Sequence, residues 1–329
     1  MPLQPILPRI KPPALQAGDT IGIIAPASNI KREMLESGCE GFRRLGYKPF
    51  YFDSILEQEL YFAGSIERRA RELEEMFLRP EVRAIVCARG GYGTNYLLQT
   101  IDLEIIRSHP KIFQGASDVT TLLTYFTDAT GLITFHGPMV TKSFSEPNGI
   151  DIDSWRKATG AAQGWDFDLG AQSGVTALAD GAAQGTLYGG CLSLLVASLG
   201  TPYEIQTEGC ILFMEDVAEK PYQIDRMLMQ LKLAGKFDRI RGIIFGEMLD
   251  CIQNANQSYT LQDVVKRIVG PLGVPVIYGL RSGHVSRENL TLPIGVQAEL
   301  RVSGAHASFR IVEPATAIMA SSHAARQES

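Results

Sequence analysis

Residues 82–93 read VRAIVCARGGYG. The first seven form a continuous apolar run with a single arginine, which is typical of a β-strand buried on both faces. A glycine-rich loop, Arg89-Gly90-Gly91-Tyr92-Gly93, follows at once. Strands buried on both faces belong mostly to parallel sheets that are covered by helices. This stretch therefore predicts a strand–loop–helix unit of an α/β protein.

The segments on either side repeat this alternation of strand and helix. Further strands are predicted at Asp19–Ala27, Tyr47–Phe52, Lys111–Gly115 and Leu132–Phe135, and helices at 35–45, from Ile66 onward, at Tyr96–Thr100 and at Thr120–Thr127. The pattern predicts a Rossmann-like parallel sheet flanked by helices. In such sheets, functional groups gather beyond the carboxyl ends of the strands.

The second half of the chain predicts a C-terminal mixed α/β domain rich in β-strands. Strands are expected at Gly185–Tyr188, Cys210–Met214, Ile240–Phe245 and Val274–Tyr278, a helix at Pro221–Ala234, and a meander or hairpin at Asn289–Val302 and Ala307–Val312. We predict an N-terminal domain at 1–143, a connecting region without clear periodicity at 144–183, and a C-terminal domain at 184–329. The small, polar tail after residue 318 is expected to be frayed.

Composition excludes several classes of function. The chain has 329 residues and a formal net charge of −5, without a long Lys/Arg run, so neither nucleic acid nor an anionic membrane is an expected partner. The five cysteines are scattered and odd in number, which favours neither a disulfide framework nor a metal site. Reduced thiols and the lack of a signal-like or membrane-spanning apolar stretch predict a soluble, cytoplasmic protein.

Ser117 is a candidate nucleophile in the segment Gly115-Ala116-Ser117-Asp118. A strand, a tight turn and a helix would expose its hydroxyl beside the first N–H groups of the helix, a geometry that suits a nucleophile next to an oxyanion hole. The alternative is that Ser117 or Asp118 only caps the following helix. The local sequence leaves both interpretations open.

Three further groups could contribute to a site at the same sheet edge. The Arg89–Gly93 loop could bind an anion through backbone N–H groups, or it could be only a tight connecting turn. Glu215 ends a buried strand and could orient an imidazole, or it could be an ordinary exposed loop residue. His284 lies in the loop Gly279-Leu280-Arg281-Ser282-Gly283-His284 after another buried strand, although a lone histidine is usually structural.

Eight ordered blocks together resemble the LD-carboxypeptidase family of serine peptidases. This family includes muramoyltetrapeptide carboxypeptidases and, more distantly, microcin-C immunity peptidases. The blocks are GDTIGIIAPAS at 18–28, YFAGSIERRARELEEMF at 61–77, ARGGYGTNYLL at 88–98, GASDVTTLL at 115–123, ITFHGPMV at 133–140, GTLYGGCLSLLVASLGTPY at 185–203, FMEDVAEKPYQIDRMLMQL at 213–231 and GLRSGH…TLPIG at 279–295.

The resemblance implies a catalytic triad of Ser117, Glu215 and His284. His284 would accept the proton of the Ser117 hydroxyl, and Glu215 would hold the imidazole in the productive tautomer. An acyl-enzyme would form and be hydrolysed, with no metal and no cofactor. The oxyanion hole would use backbone N–H groups of Asp118 and of a glycine in the loop, for which Gly91 is the candidate.

The implied substrate is a cell-wall muropeptide tetrapeptide, from which the enzyme would release terminal D-Ala in peptidoglycan recycling. The bond cut would join an L-centre, either diaminopimelate or lysine, to D-Ala. Arg89, beside the proposed oxyanion loop, is a candidate for binding the terminal carboxylate. A homodimer is a further implication. Two alternatives stay open: a microcin-C-type peptidase that cleaves a peptide–nucleotide or acyl-amide bond, and a non-enzymatic small-molecule binding protein.

Overall fold

The computed structural model describes residues 7–170, 174–252 and 256–318. Its strands are β1 Thr20–Ile24, β2 Lys48–Phe50, β3 Val82–Cys87, β4 Ile112–Gly115, β5 Thr134–His136, β6 Trp165–Phe167, β7 Thr176–Ala179, β8 Gly181–Cys191, β9 Cys210–Glu215, β10 Gly242–Gly246, β11 Val276–Leu280, β12 Leu292–Ile294, β13 Gln297–Ser303 and β14 His306–Ile311. Its helices are α1 Arg32–Arg44, α2 Ile66–Leu78, α3 Leu103–Ser108, α4 Thr120–Thr130, α5 Ile152–Thr159, α6 Leu192–Ala197, α7 Pro221–Leu233 and α8 Leu261–Val269. The predicted frayed tail after residue 318 lies outside the described residues.

The first sheet has six strands in the order β12-β5-β4-β3-β1-β2. Strands β1 to β5 pair in parallel, and β12 pairs antiparallel with β5 at one edge. Strand β3 is buried at five of its six positions, which agrees with the apolar run at 82–88. The predicted Rossmann-like α/β class is therefore confirmed.

The second sheet has eight strands in the order β6-β14-β13-β8-β9-β10-β11-β7. Strands β8 to β11 are parallel, and the strands outside them pair antiparallel. The four predicted strands of the second half are found as β8 to β11, and helix α7 begins at the predicted Pro221. A proline suits the first turn, since its missing N–H would have no partner there.

Three segments differ from the sequence prediction. In place of the helix predicted at Tyr96–Thr100, the structure has a short 3₁₀ helix at Thr94–Leu97. The segment 144–183, predicted as an extended connection, carries helix α5 and strands β6 and β7, and both strands join the second sheet. The predicted hairpin at 289–312 is found only for β13 and β14, because β12 crosses to the first sheet. The division into two domains remains a prediction. No helix in the described ranges is long and apolar enough to cross a membrane.

A carboxyl–phenol contact joins the two halves of the fold. The hydroxyl of Tyr188, in β8, donates to Oδ2 of Asp128, in α4, at 2.5 Å, and Tyr188 is fully buried. Burial raises the pKa of the Asp128 carboxyl from its ordinary 3.8 to about 7, despite the hydrogen bond from Tyr188. The folded chain therefore holds a proton here that the unfolded chain releases near pH 4.

The wild type should become less stable as pH rises from about 4 to 7. We expect the Asp128→Asn variant not to show this loss of stability. A carboxyl whose folded pKa is raised stabilises the protein least above that pKa, whereas asparagine does not ionise and still accepts from Tyr188. At pH 8 the variant should be more stable by about 4 kcal/mol, because each unit of the pKa shift corresponds to about 1.4 kcal/mol, and near pH 4 the difference should vanish.

Thermal unfolding of both proteins from pH 4 to pH 8 checks this expectation. Tyr188→Phe is the matched control, because it removes only the donor to the carboxylate and should destabilise most at pH 8. Melting curves of Asp128→Asn that track the wild type at every pH would contradict the expected titration.

Candidate active site

Ser117 lies at the sharp turn between β4 and α4. Its φ is +60°, in the left-handed region that residues other than glycine rarely adopt. A 3₁₀ turn at Ser117–Val119 leads from the strand into the helix. Within the described ranges the hydroxyl makes no hydrogen bond, so Ser117 does not cap α4. Backbone strain of this kind is typical of residues held at functional turns.

Asp118 binds Thr94, the residue directly after the glycine-rich loop, instead of capping the helix. Its Oδ2 accepts from the backbone N of Thr94 at 2.8 Å, and the Thr94 hydroxyl donates to its carbonyl oxygen at 2.6 Å. Burial raises the pKa of this carboxyl, although the hydrogen bonds with Thr94 oppose the rise. The side chain of Asp118 is thus part of the scaffold, and its backbone N remains beside Ser117.

Gly90 brings the loop into direct contact with the serine. A Cβ on Gly90 would lie 2.6 Å from Ser117 Cβ, 2.9 Å from its Oγ and 3.2 Å from the backbone N of Asp118. Gly91 has a φ of +105°, and a Cβ there would lie 2.3 Å from Ser28 Oγ. The close contact with Ser117 is thus made by Gly90, whereas Gly91, the glycine predicted for the oxyanion hole, packs against Ser28.

We expect Gly90→Ala to lower kcat by about 100-fold or more, because the methyl group would displace the Ser117 side chain from its position. Hydrolysis assays on the purified variant measure the effect. Gly270→Ala is the matched control, since a Cβ at Gly270 meets nothing within 4 Å. Wild-type kcat for Gly90→Ala would show that the loop does not constrain the serine.

Two side chains hold the loop in place. Nη1 of the buried Arg69, in α2, donates to the carbonyl oxygens of Pro26 at 2.7 Å and Gly93 at 2.8 Å. Ser28 Oγ accepts from the backbone N of Tyr92 at 3.1 Å. These bonds tie the loop to the end of β1 and to the first turns of the chain after it.

Glu215 and His284 form a hydrogen-bonded pair. Glu215 ends β9 and is fully buried, and its Oε2 lies 2.8 Å from His284 Nδ1 and accepts from the His284 backbone N at 3.0 Å. Gly246 and Gly283 leave room for the carboxylate, since a Cβ on them would lie 2.4 Å from Glu215 Cβ and 2.5 Å from its Cδ. Two donors on one oxygen orient the imidazole relative to the carboxylate.

The electrostatics of this pair favour an ionised carboxylate. Burial alone would raise the pKa of Glu215, but the charge of His284, the nearby imidazole of His136 and the hydrogen bond from His284 outweigh it and lower the pKa to about 2. Burial lowers the pKa of His284, and the charge and hydrogen bond of Glu215 together raise it above its ordinary 6.5. Both pKa shifts reflect an interaction that stabilises an imidazolium next to a carboxylate.

A cavity of about 270 Å³ connects these groups at the predicted sheet edge. Ser117, Gly91, Arg89 and His284 all line it, whereas Glu215 lies behind His284. Other lining residues are Asn29, Ile30, Lys31, Met34, Gly90, Met139, Thr141 and Lys142. Arg89 is exposed and its Nη1 donates to the carbonyl oxygen of Asn29 at 3.3 Å. Three cationic side chains therefore surround an opening to the serine.

Sequence reasoning missed Lys31, Lys142 and Arg69. Lys142 has a φ of +69° in an irregular turn, and nothing in the local sequence indicates that conformation. Arg69 sits in a helix rich in charged residues, where it looks like a solvated side chain. Only its burial and its two carbonyl partners reveal its role.

Comparisons with known proteins agree with this architecture. Residues 21–137 match the LD-carboxypeptidase N-terminal domain, and residues 184–300 match the LD-carboxypeptidase C-terminal domain. A probable murein peptide carboxypeptidase of Bacillus subtilis is 40% identical over 300 residues, which cover 89% of this chain and 92% of that protein. The microcin C7 self-immunity protein MccF of Escherichia coli is 31% identical over 315 residues, covering 86% of this chain and 90% of MccF.

A solved structure shows the same fold. The muramoyltetrapeptide carboxypeptidase from Oxalobacter formigenes superposes with a TM-score of 0.80 at 26% identity, covering 90% of this chain and 99% of that one. The chain is thus an enzyme of the serine carboxypeptidase class. Within that class it belongs to the LD-carboxypeptidase family. A non-enzymatic binding protein, one of the alternatives from sequence, does not fit this membership.

Proposed function

We propose that this enzyme releases the terminal D-Ala from muropeptide tetrapeptides through a triad of Ser117, His284 and Glu215. The observation that carries the proposal is the shared cavity, which brings a strained serine and a carboxylate-bound imidazole to one opening. The murein carboxypeptidase names of its relatives support the choice of substrate.

In the proposed reaction, His284 Nε2 accepts the hydroxyl proton as Ser117 Oγ attacks the scissile carbonyl carbon. Glu215 stabilises the resulting imidazolium, and the backbone N–H groups of Asp118 and Gly91 donate to the tetrahedral oxyanion. His284 then gives the proton to the departing D-Ala nitrogen, which leaves an acyl-enzyme on Ser117. A water molecule repeats the same steps and frees the tripeptide.

The cationic side chains that line the cavity favour exopeptidase activity over endopeptidase activity. They belong to Lys31, Arg89 and Lys142. The terminal carboxylate of a substrate must lose water to enter the cavity, and nearby cations compensate that cost. The described residues that line the cavity include no carboxylate. Arg89 remains our candidate for the principal partner of the terminal carboxylate, with the two lysines beside it.

A microcin-C-type activity is the second candidate, because the chain is also 31% identical to MccF. A solved MccF structure contains aspartyl sulfamoyl adenosine, whose base could stack on an aromatic side chain. Here no Trp, Tyr or Phe stands among the described residues that line the cavity, and both tryptophans are buried elsewhere. The murein substrate is therefore the better proposal.

A hydrolysis panel tests the proposed function. The purified enzyme is incubated with a muropeptide tetrapeptide, the matching pentapeptide that ends in D-Ala-D-Ala, and an aminoacyl sulfamoyl adenosine. We expect D-Ala release from the tetrapeptide alone, by chromatography and mass spectrometry. Cleavage of only the sulfamoyl compound would overturn the murein proposal in favour of the second candidate.

Location and assembly are also proposals. We infer a cytoplasmic site of action within peptidoglycan recycling, which the five free, buried cysteines support. A homodimer remains a prediction that sedimentation analysis can check.

A further inference from the structure

A second imidazole faces the carboxylate of Glu215. His136, the last residue of β5, is fully buried, and its Nε2 lies 3.7 Å from Glu215 Oε1. Both atoms are buried, and within the described ranges neither has a hydrogen-bond partner. Buried polar atoms are rarely left unpaired, so two that face each other require an explanation.

The other ring nitrogen of His136 indicates where its proton lies. Nδ1 is 3.0 Å from the hydroxyl oxygen of Ser282. If the Ser282 hydroxyl donates to Nδ1, the proton sits on Nε2 and points to the Glu215 carboxylate. The opposite tautomer would place a lone pair against an anion in a buried site, which costs free energy. The network therefore assigns the proton to Nε2.

The surroundings fix the ring in this orientation. His136 packs edge-on against Phe213, with ring centroids 5.1 Å apart and planes at 64°. Its backbone is paired on both sides, with Gly115 of β4 and Leu292 of β12. The imidazole therefore has little freedom to turn its Nε2 away from Glu215.

We propose that His136 is a positioning residue, whose Nε2–H holds Oε1 of Glu215 so that Oε2 is presented to His284. This inference rests on the triad of the proposed function. Each imidazole then contacts one oxygen of the Glu215 carboxylate. His284 moves the proton of the reaction, and His136 keeps the carboxylate ionised and prevents its rotation.

Other titratable groups act on the same pair. The groups that interact electrostatically with Glu215 or His284 are Asp216, Cys191, Cys251 and Lys142. Burial raises the pKa of both thiols, so they stay neutral in the working range. The surroundings of Asp216 and Lys142 stay the same when His136 is replaced. A change in the pH profile therefore reports the loss of the Nε2–H donor of His136.

The direction of that change follows from the charges. In the active form, the Glu215–His284 pair holds a single proton, on Nδ1 of His284. In the inactive form, the pair holds a second proton. Without the Nε2–H of His136, the pair binds this extra proton more tightly, wherever it resides. The acid limb of the pH profile should then move to higher pH.

Three variants test the proposal: His136→Phe removes the donor and keeps a ring, His136→Gln restores an amide donor, and Ser282→Ala removes the partner of Nδ1. We expect His136→Phe to lower kcat by about 10- to 100-fold, the range for a hydrogen bond to a charged group, with KM changed less than about twofold. His136→Gln should recover most of kcat and the wild-type pH profile. Ser282→Ala should lower kcat by a few-fold.

Two readouts separate this proposal from the choice of substrate. The rate at which a fluorophosphonate labels Ser117 requires the triad but no peptide, so it reports on His136 even if the tetrapeptide is not cleaved. The nitrogen-15 chemical shifts of the His136 ring in the wild type report the proton directly and require no variant to fold.

At neutral pH we expect His136 Nε2 to show the nitrogen-15 chemical shift of a ring nitrogen that carries a proton. A deprotonated Nε2 would overturn the proposal, even if His136→Phe fails to fold. So would a folded His136→Phe with the wild-type labelling rate and pH profile, or a folded His136→Gln as impaired as His136→Phe.

Discussion

Replacement of Ser117 by alanine should lower kcat for D-Ala release by at least about 10⁴-fold, because the enzyme loses its nucleophile. The oxyanion donors and the substrate cavity would remain, so KM should change little and a small residual rate above the uncatalysed reaction is expected. Initial-rate assays with a muropeptide tetrapeptide measure both constants.

The fold of this variant should be intact. Alanine and serine meet the same restriction at a φ of +60°, and the hydroxyl makes no hydrogen bond within the described residues, so the melting temperature should match the wild type. Ser108→Ala is the matched control: its hydroxyl donates to Glu104 at 2.7 Å on an exposed surface. A Ser117→Ala enzyme with more than a tenth of wild-type kcat would show that another group is the nucleophile.

Replacement of Glu215 by glutamine should have the second-largest effect, a fall in kcat of about 10³- to 10⁴-fold. The amide nearly matches the carboxylate in shape, so the packing around Gly246 and Gly283 is retained. It cannot stabilise the imidazolium by charge, and it can hold His284 in the wrong tautomer. Since the folded pKa of Glu215 lies below its ordinary value, the ionised carboxylate stabilises the fold at neutral pH, and the glutamine variant should be less stable than the wild type there.

The pH dependence of the glutamine variant gives an independent check. The charge of Glu215 helps to raise the pKa of His284, so its removal should lower that pKa. His284 must be neutral to accept a proton, and the acid limb of the kcat profile should therefore move to lower pH. An acid limb at the wild-type position, or a kcat loss below about tenfold, would contradict the role assigned to Glu215.

The parallel strands could be predicted from sequence because their signal is local. Runs such as Val82–Ala88 and Cys210–Met214 are apolar at nearly every position, and a run this short is typical of a strand covered on both faces. The positions of Ser117, Glu215 and His284 at strand ends followed from the same reasoning. Their assignment to one reaction needed the order of eight blocks, since each local pattern had a structural alternative.

The remaining features depend on contacts that are distant in sequence. Strand β12 has only three residues, and its partner β5 lies more than 150 residues earlier, so no local periodicity reveals the pairing. The burial of Arg69 and the approach of His136 to Glu215 likewise arise from tertiary packing. Charged and polar residues look solvated in sequence, and only their surroundings decide otherwise.

The central claim is that Ser117 is the nucleophile that Glu215 and His284 activate. Covalent trapping tests it most directly: the wild-type enzyme is treated with a fluorophosphonate small enough for a cavity of about 270 Å³, digested and mapped by mass spectrometry. We predict a single adduct on Ser117, formed much more slowly in the Glu215→Gln variant. An adduct on another residue, or labelling of Ser117 at the same rate without the carboxylate, would contradict the claim.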